Sequence, residues 1–208
     1  MHWATFLLAI ISGFVAIKLI SLANSHGRLK FLGLTIAAGI FTVMQCFAFF
    51  NGLFDNSSLA TVTQFIIEWG HVICLAFILS SLAIFIRESK PVFAQFPLLY
   101  TAFPLLIVIS YLLVKDTYAL KKWLLAIYQG GAIIVSLLMY SVYTYKREDY
   151  ALVLIGAALF LVSYLIYWYV PAISTSYQWI WKVLVAGAML TTLFGYEKAI
   201  KGQKHQTD

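Results

Sequence analysis

Polar and charged residues interrupt this chain at nearly regular intervals. Between them lie seven apolar runs of roughly 20 residues, the length an α-helix needs to cross the hydrocarbon core of a bilayer. The runs fall at about 3–23, 31–53, 62–86, 94–114, 121–144, 150–170 and 175–197. Turn-forming residues occupy the gaps: Asn24-Ser25-His26-Gly27, Asn51-Gly52, Asp55-Asn56-Ser57-Ser58, and Pro171 ahead of Ser174-Thr175-Ser176. The pattern predicts an all-α polytopic membrane protein of about seven transmembrane helices, with residues 1–208 forming a single transmembrane domain. Composition agrees, since 62% hydrophobic and 11% charged residues leave more apolar surface than a soluble fold can cover.

The first run has only His2 and the α-amino group before Trp3, so it lacks the basic opening of a cleaved signal peptide and reads as a retained helix. The chain after Glu197 is short and polar, and no kinase or cyclase domain is expected to receive a signal from it. Cys46 and Cys74 sit at depths that differ by roughly 10 Å, too far apart for a disulfide with its Cα atoms about 5.5 Å apart. Asn56-Ser57-Ser58 is a glycosylation sequon in a loop too short to give it weight.

The formal net charge of +6 changes the picture only through its distribution. No cluster of Lys and Arg forms the long basic face that nucleic acid requires, so that partner is excluded. Arg28, Lys30, Arg87, Lys90, Lys146, Arg147, Lys198, Lys201 and Lys204 fall on one side of the predicted membrane, against Lys115, Lys121 and Lys122 on the other. The positive-inside rule then predicts an external amino terminus and a cytoplasmic carboxyl terminus, in a plasma membrane or bacterial inner membrane. Lys18 lies near the inner end of the first helix, within reach of the interface by snorkelling.

Residues 3–51 align without a gap on residues 123–171, setting Trp3 on Trp123, Val15 on Val135, Ser21 on Ser141 and Ala37-Ala38 on Ala157-Ala158. After a shorter loop, Ser80-Ser81-Leu82 falls on Thr191-Thr192-Leu193 and His71 on Lys182. The register predicts a 3+1+3 parallel internal repeat, with halves at about 3–88 and 121–200 and a linking helix at about 94–114 that contains Pro104. This layout resembles the sugar-transporting SWEET proteins and, more loosely, opsins and seven-helix receptors; the resemblance is one of topology, without the SWEET-type Pro-Gln motif. The proportions are also similar to the seven-helix input modules of some bacterial histidine kinases. Glu68-Trp69 looks like the acidic residue and Trp of microbial rhodopsins, but Val185 to Leu190 in the middle of the last helix include no lysine to hold retinal. No cofactor is expected.

Candidate chemistry concentrates on the third run, where Gln64, Glu68 and His71 recur at helical spacing on one face. An ionisable group inside hydrocarbon costs at least about 2.5–3.5 kcal/mol unless it is paired or wetted, which marks Glu68 as a functional candidate against the alternative of a structural ion pair. Lys182 lies at similar depth in the seventh run and is the expected partner of Glu68. Gln45, Tyr128, Gln129, Tyr164 and Trp168 are predicted at the same level. Together these residues suggest an apolar-walled, outward-facing site for a small molecule, although interfacial aromatics such as Trp168 and Tyr169 also belong to an ordinary lipid belt. Gly130-Gly131, Gly156 and Gly187 are expected to let helices approach closely, with a broken helix at Gly130-Gly131 as the sharper alternative. Glu68-x-x-His71 has the spacing of half a di-iron site, but the other half is missing, and no metal is expected. Hydrolase elbows, phosphate loops and Cys-x-x-Cys motifs are absent.

These features favour a protein that binds a small solute, ion or amphiphile and carries it across the membrane, because parallel repeats supply two bundles able to rock around a site. A seven-helix sensor signalling through a separate membrane partner is the alternative, and a lipid-active enzyme using Glu68 and His71 is a third. The remaining partners expected are membrane lipids and a second copy of the chain, or a larger complex in which Glu68 and Lys182 are interface contacts.

Overall fold

The computed structural model describes residues 2–26, 29–54, 57–89, 97–114, 118–169 and 177–204. Arg28, Lys90, Lys115, Asn56 of the sequon and Pro171 lie outside the described residues. The chain forms seven α-helices: α1 (His2–His26), α2 (Leu29–Leu53), α3 (Ser57–Ser89), α4 (Pro97–Leu113), α5 (Tyr118–Lys146), α6 (Ala151–Tyr169) and α7 (Gln178–Lys204). A 3-10 turn, Glu148–Tyr150, precedes α6, and no strand occurs among the described residues. All of these helices except α4 are long and apolar enough to cross a membrane, while α4 has 17 residues.

Several helices continue beyond the apolar runs that announce them. The α3 helix has 33 residues, which at 1.5 Å per residue is about 50 Å and exceeds the roughly 30 Å hydrocarbon core. Hydropathy marks only the part of a helix that needs lipid, and a polar first turn such as that of α3 stays helical where water can satisfy its free N–H groups. The Thr61 hydroxyl there satisfies its own proton on the Ser57 carbonyl at 3.1 Å. Exposed apolar residues line the helices, as in Leu120, Trp123, Ile127, Ile134, Leu138 and Val142 along α5. A surface of this kind is suited to acyl chains rather than to water.

The contacts group into two compact units, His2–Ala132 and Ile133–Asp208, the chain passing from one to the other within α5. In the first unit α1 runs antiparallel to α2. Phe6 stacks obliquely on Phe49 with ring centroids 5.1 Å apart, and the Thr42 hydroxyl shares its proton between Ser12 Oγ at 2.9 Å and the Ala38 carbonyl at 2.8 Å. The α2 and α3 helices are also antiparallel, Phe31 meeting Phe85 edge-on and Cys74 Sγ donating to the Ala37 carbonyl at 3.2 Å. Cys46 and Cys74 are both free, in keeping with their unequal depths. The α4 helix returns along α3, burying Ile107 and Tyr111 against Val72, with Leu124, Leu125 and Tyr128 of α5 on the same cluster.

In the second unit α6 and α7 are antiparallel and approach through glycines. A Cβ at Gly156 would meet the Thr192 hydroxyl and lie 3.1 Å from the Ala188 carbonyl oxygen, while one at Gly195 would lie 2.6 Å from the Val153 nitrogen. Ser163 donates to the Trp181 carbonyl at 3.0 Å. The buried hydroxyls of Tyr140 and Tyr196 are hydrogen-bonded and tie the end of α5 to α7. Of the glycines expected to permit close approach, Gly156 does so. A Cβ at Gly131 or Gly187 would have nothing within 4 Å, and α5 is unbroken through Gly130-Gly131. The 3+1+3 repeat is not shown by this packing.

The two kinds of glycine should separate on substitution. Gly195→Ala forces its methyl onto backbone atoms of α6 and is expected to cost about 1–3 kcal/mol, lowering the melting temperature in detergent. Gly131→Ala meets no neighbour within 4 Å and is expected to be neutral or to stabilise α5 by up to about 1 kcal/mol. Circular-dichroism melts of the two variants check the contrast, and equal losses would contradict it.

Candidate functional site

Glu68 is the twelfth residue of α3, with its side chain 35% exposed. Three helices of the first unit converge on its carboxylate. From the end of α4, the Tyr111 hydroxyl donates to Oε1 at 2.6 Å; from the first turn of α5, Lys121 Nζ donates to the same oxygen at 3.3 Å. Both contacts fall on Oε1, and among the described residues Oε2 has no partner. The packing of α4 against α3 makes this geometry possible. Tyr111 is one helical turn beyond Ile107, so the same apolar face that buries Ile107 on Val72 also buries the Tyr111 ring and aims its hydroxyl at Glu68.

Aromatic rings frame the charge pair. Trp69 meets Tyr111 edge-on at 5.6 Å between centroids, Phe65 lies 6.3 Å from Trp69, and the Lys121 ammonium lies 5.2 Å from the centre of the Tyr111 ring. Lys121 is 31% exposed, so the ion pair is half open to its surroundings rather than sealed in a core. A hydrogen bond also ties α4 directly to α5, between Ser110 Oγ and the Tyr128 hydroxyl at 2.6 Å. Tyr128 therefore belongs to the same neighbourhood as Glu68.

The other residues singled out from the sequence take varied positions. His71 is half-buried, and its Nδ1–H donates to the Ile67 carbonyl at 2.8 Å. Gln64 is exposed on α3, Gln45 is buried on α2 and Gln129 is half-buried on α5. Tyr164, Trp168 and Lys182 belong to the second unit, where Tyr164 and Trp168 are ring neighbours at 6.4 Å and the Lys182 ammonium lies 5.6 Å from the Trp181 ring centre. Within the first unit the cation on Glu68 is Lys121; Lys182, the partner expected from the sequence, lies in the second unit. Among the described residues no group of three or more His, Cys, Asp and Glu side chains is placed to hold a metal ion.

Sequence reasoning missed Tyr111 and Lys121. Lys121 counted as a loop charge, because the apolar run begins there, yet α5 starts at Tyr118 and carries it on a helical turn. Tyr111 sits in an unbroken apolar run with nothing to tell which neighbour it faces; antiparallel pairing of α3 with α4 was the only available signal. A tyrosine cluster at the far end of α5 also went unread, with Tyr143 5.2 Å from Tyr150 and 6.2 Å from Tyr140. Beside it Arg147 pairs with Asp149 at 3.2 Å.

The contacts on Oε1 should be unequal. A hydrogen bond to a charged acceptor is worth about 1.5–3 kcal/mol, and a half-exposed ion pair about 0.2–1 kcal/mol. Tyr111→Phe is therefore expected to destabilise the folded protein more than Lys121→Met, and most of its effect should vanish when Glu68 is already glutamine. Denaturation midpoints of the single and double variants read this directly; a larger loss from Lys121→Met would reverse the order of the two contacts.

Comparison with protein-family models, with curated proteins and with solved structures finds no match.

Proposed function

We propose that this protein crosses the membrane seven times, binds a small solute or amphiphile at Glu68 near its external face, and carries it to the other side. The observation that carries this reading is the Glu68 carboxylate itself: a charge on a membrane helix, held through one oxygen by Tyr111 and Lys121, half-exposed and framed by Trp69. A structural ion pair repays the desolvation of its charges only when its remaining lone pairs are hydrogen-bonded as well. An open carboxylate with an uncommitted oxygen suits a group that must exchange partners.

The seventh crossing is α4, whose 17 residues fall at the short end of the spanning range. Its support is the pairing of Val72 with Ile107 and of Glu68 with Tyr111, which runs α4 opposite to α3 and returns the chain to the level of Lys121 in the first turn of α5. An odd number of crossings separates the termini, and the bias in Lys and Arg assigns the amino end to the outside. Transport is favoured over signalling because a carboxylate whose cation is half-exposed suits a solute that must be released again.

Proteoliposomes loaded with a labelled metabolite mixture should exchange at least one component. Glu68→Gln is expected to slow that exchange at least about tenfold, the loss of a contact worth about 1.4 kcal/mol, in protein that remains folded. Binding without exchange would replace transport by sensing, consumption of the solute would make the protein an enzyme, and exchange indifferent to Glu68→Gln would remove Glu68 from the mechanism.

A further inference from the structure

We infer that the Glu68 cluster is a receptor for an organic ammonium group, and that the Lys121 ammonium is a tethered stand-in which the ligand displaces. The inference rests on the reading of this cluster as the solute site and adds the chemical class of what binds there. Three features carry it.

The first is the position of Lys121 Nζ, 3.3 Å from a carboxylate oxygen and 5.2 Å from the centre of the Tyr111 ring. A cation over an aromatic face within about 6 Å, with an anion beside it, is the arrangement by which proteins recognise substituted ammonium groups. The second is the weak hold on Lys121. It lies in the first turn of α5, where the helix dipole repels positive charge, and its side chain is 31% exposed, so it can swing into water on its flexible stem. The third is Oε2 of Glu68, which has no partner among the described residues while Tyr111 fixes Oε1. A ligand ammonium can engage Oε2 before Lys121 leaves Oε1, so the carboxylate is neutralised throughout the exchange. Exposed Phe65, 6.3 Å from Trp69, supplies apolar surface for the substituents on the nitrogen.

An anionic ligand fits less well, since it would approach the carboxylate to reach Lys121. The same ammonium chemistry is offered by a free amine or by the choline headgroup of a lipid, and the bilayer composition used in the test separates these sources.

The test is calorimetric titration of the full chain in nanodiscs of phosphatidylglycerol with choline, and with 3,3-dimethylbutan-1-ol, which has the same shape without the charge. Choline is expected to bind and its neutral isostere not to. Lys121→Met should tighten choline binding, by about tenfold if the tethered ammonium fills the site nine-tenths of the time, because the competent fraction then rises from about a tenth to one. Glu68→Gln should abolish binding; if that variant does not fold, Lys121→Met decides alone. Equal binding of the isostere, no choline binding, or weaker binding by Lys121→Met would overturn the inference. Repeating the titration in phosphatidylcholine identifies the source: loss of the choline signal there assigns the site to the lipid headgroup, and an unchanged signal assigns it to a free amine. No flux is read, so a protein that binds choline yet exchanges no solute would sink the transport reading alone. Solute exchange without preference for choline over its isostere would sink this inference alone.

Discussion

Hydrocarbon offers no hydrogen-bond partner to a backbone N–H or C=O, and the rest of this structure follows from that constraint. Every membrane segment must close its own hydrogen bonds, which makes each apolar run a helix. Side-chain hydroxyls obey the same rule by turning back on their own helices, as Ser81 does to the Phe77 carbonyl and Thr191 to the Gly187 carbonyl, both within one turn. Once the backbone is satisfied, apolar burial no longer decides which helices become neighbours, because lipid is as good a partner as Leu. Close approach decides it instead. Gly33 lies against Ser81 and Gly70 against Met44 in the first unit; Gly156 lies against Thr192 and Gly195 against Val153 in the second.

Glu68 stands apart from this economy because its charge cannot be satisfied within its own helix. It recruits a phenol from α4 and an ammonium from α5, and so adds polar contacts to three helices that already share one apolar cluster. The consequence for function comes from the same asymmetry. Tyr111 is buried and directional, whereas Lys121 is half-exposed on a flexible stem, and the proposed exchange of the second partner rests on that difference. A site assembled this way presents a defined anion without locking it into a permanent pair.

Much of the fold was legible in the sequence, because hydropathy and helix length are set by the same thickness of lipid. The seven runs at about 3–23 through 175–197 each became a helix. Their ends were less legible, since α3 begins at Ser57 and α7 continues to Lys204, in stretches where water or headgroups can satisfy a polar helical turn. Glu68 was visible as an ionisable residue in an apolar run, and Tyr128 as a polar group at similar depth. Tyr111 and Lys121 were not, because contacts between helices depend on rotation about each axis, which an apolar run without a hydrophobic stripe leaves unspecified. The alignment of residues 3–51 on 123–171 concerned spacing along the chain, and spacing alone does not determine which helices pack together.

Zero-length carbodiimide coupling tests most directly whether Glu68 takes its cation from Lys121. The reagent joins a carboxylate to an amine only when the two are in contact, and it can be applied to the protein in intact membranes. Proteolysis and mass spectrometry should then find an amide linking the peptide of Glu68 to that of Lys121, lost in Lys121→Met. A link from Glu68 to Lys182, or labelling of Glu68 by an added amine with no internal link, would contradict the account.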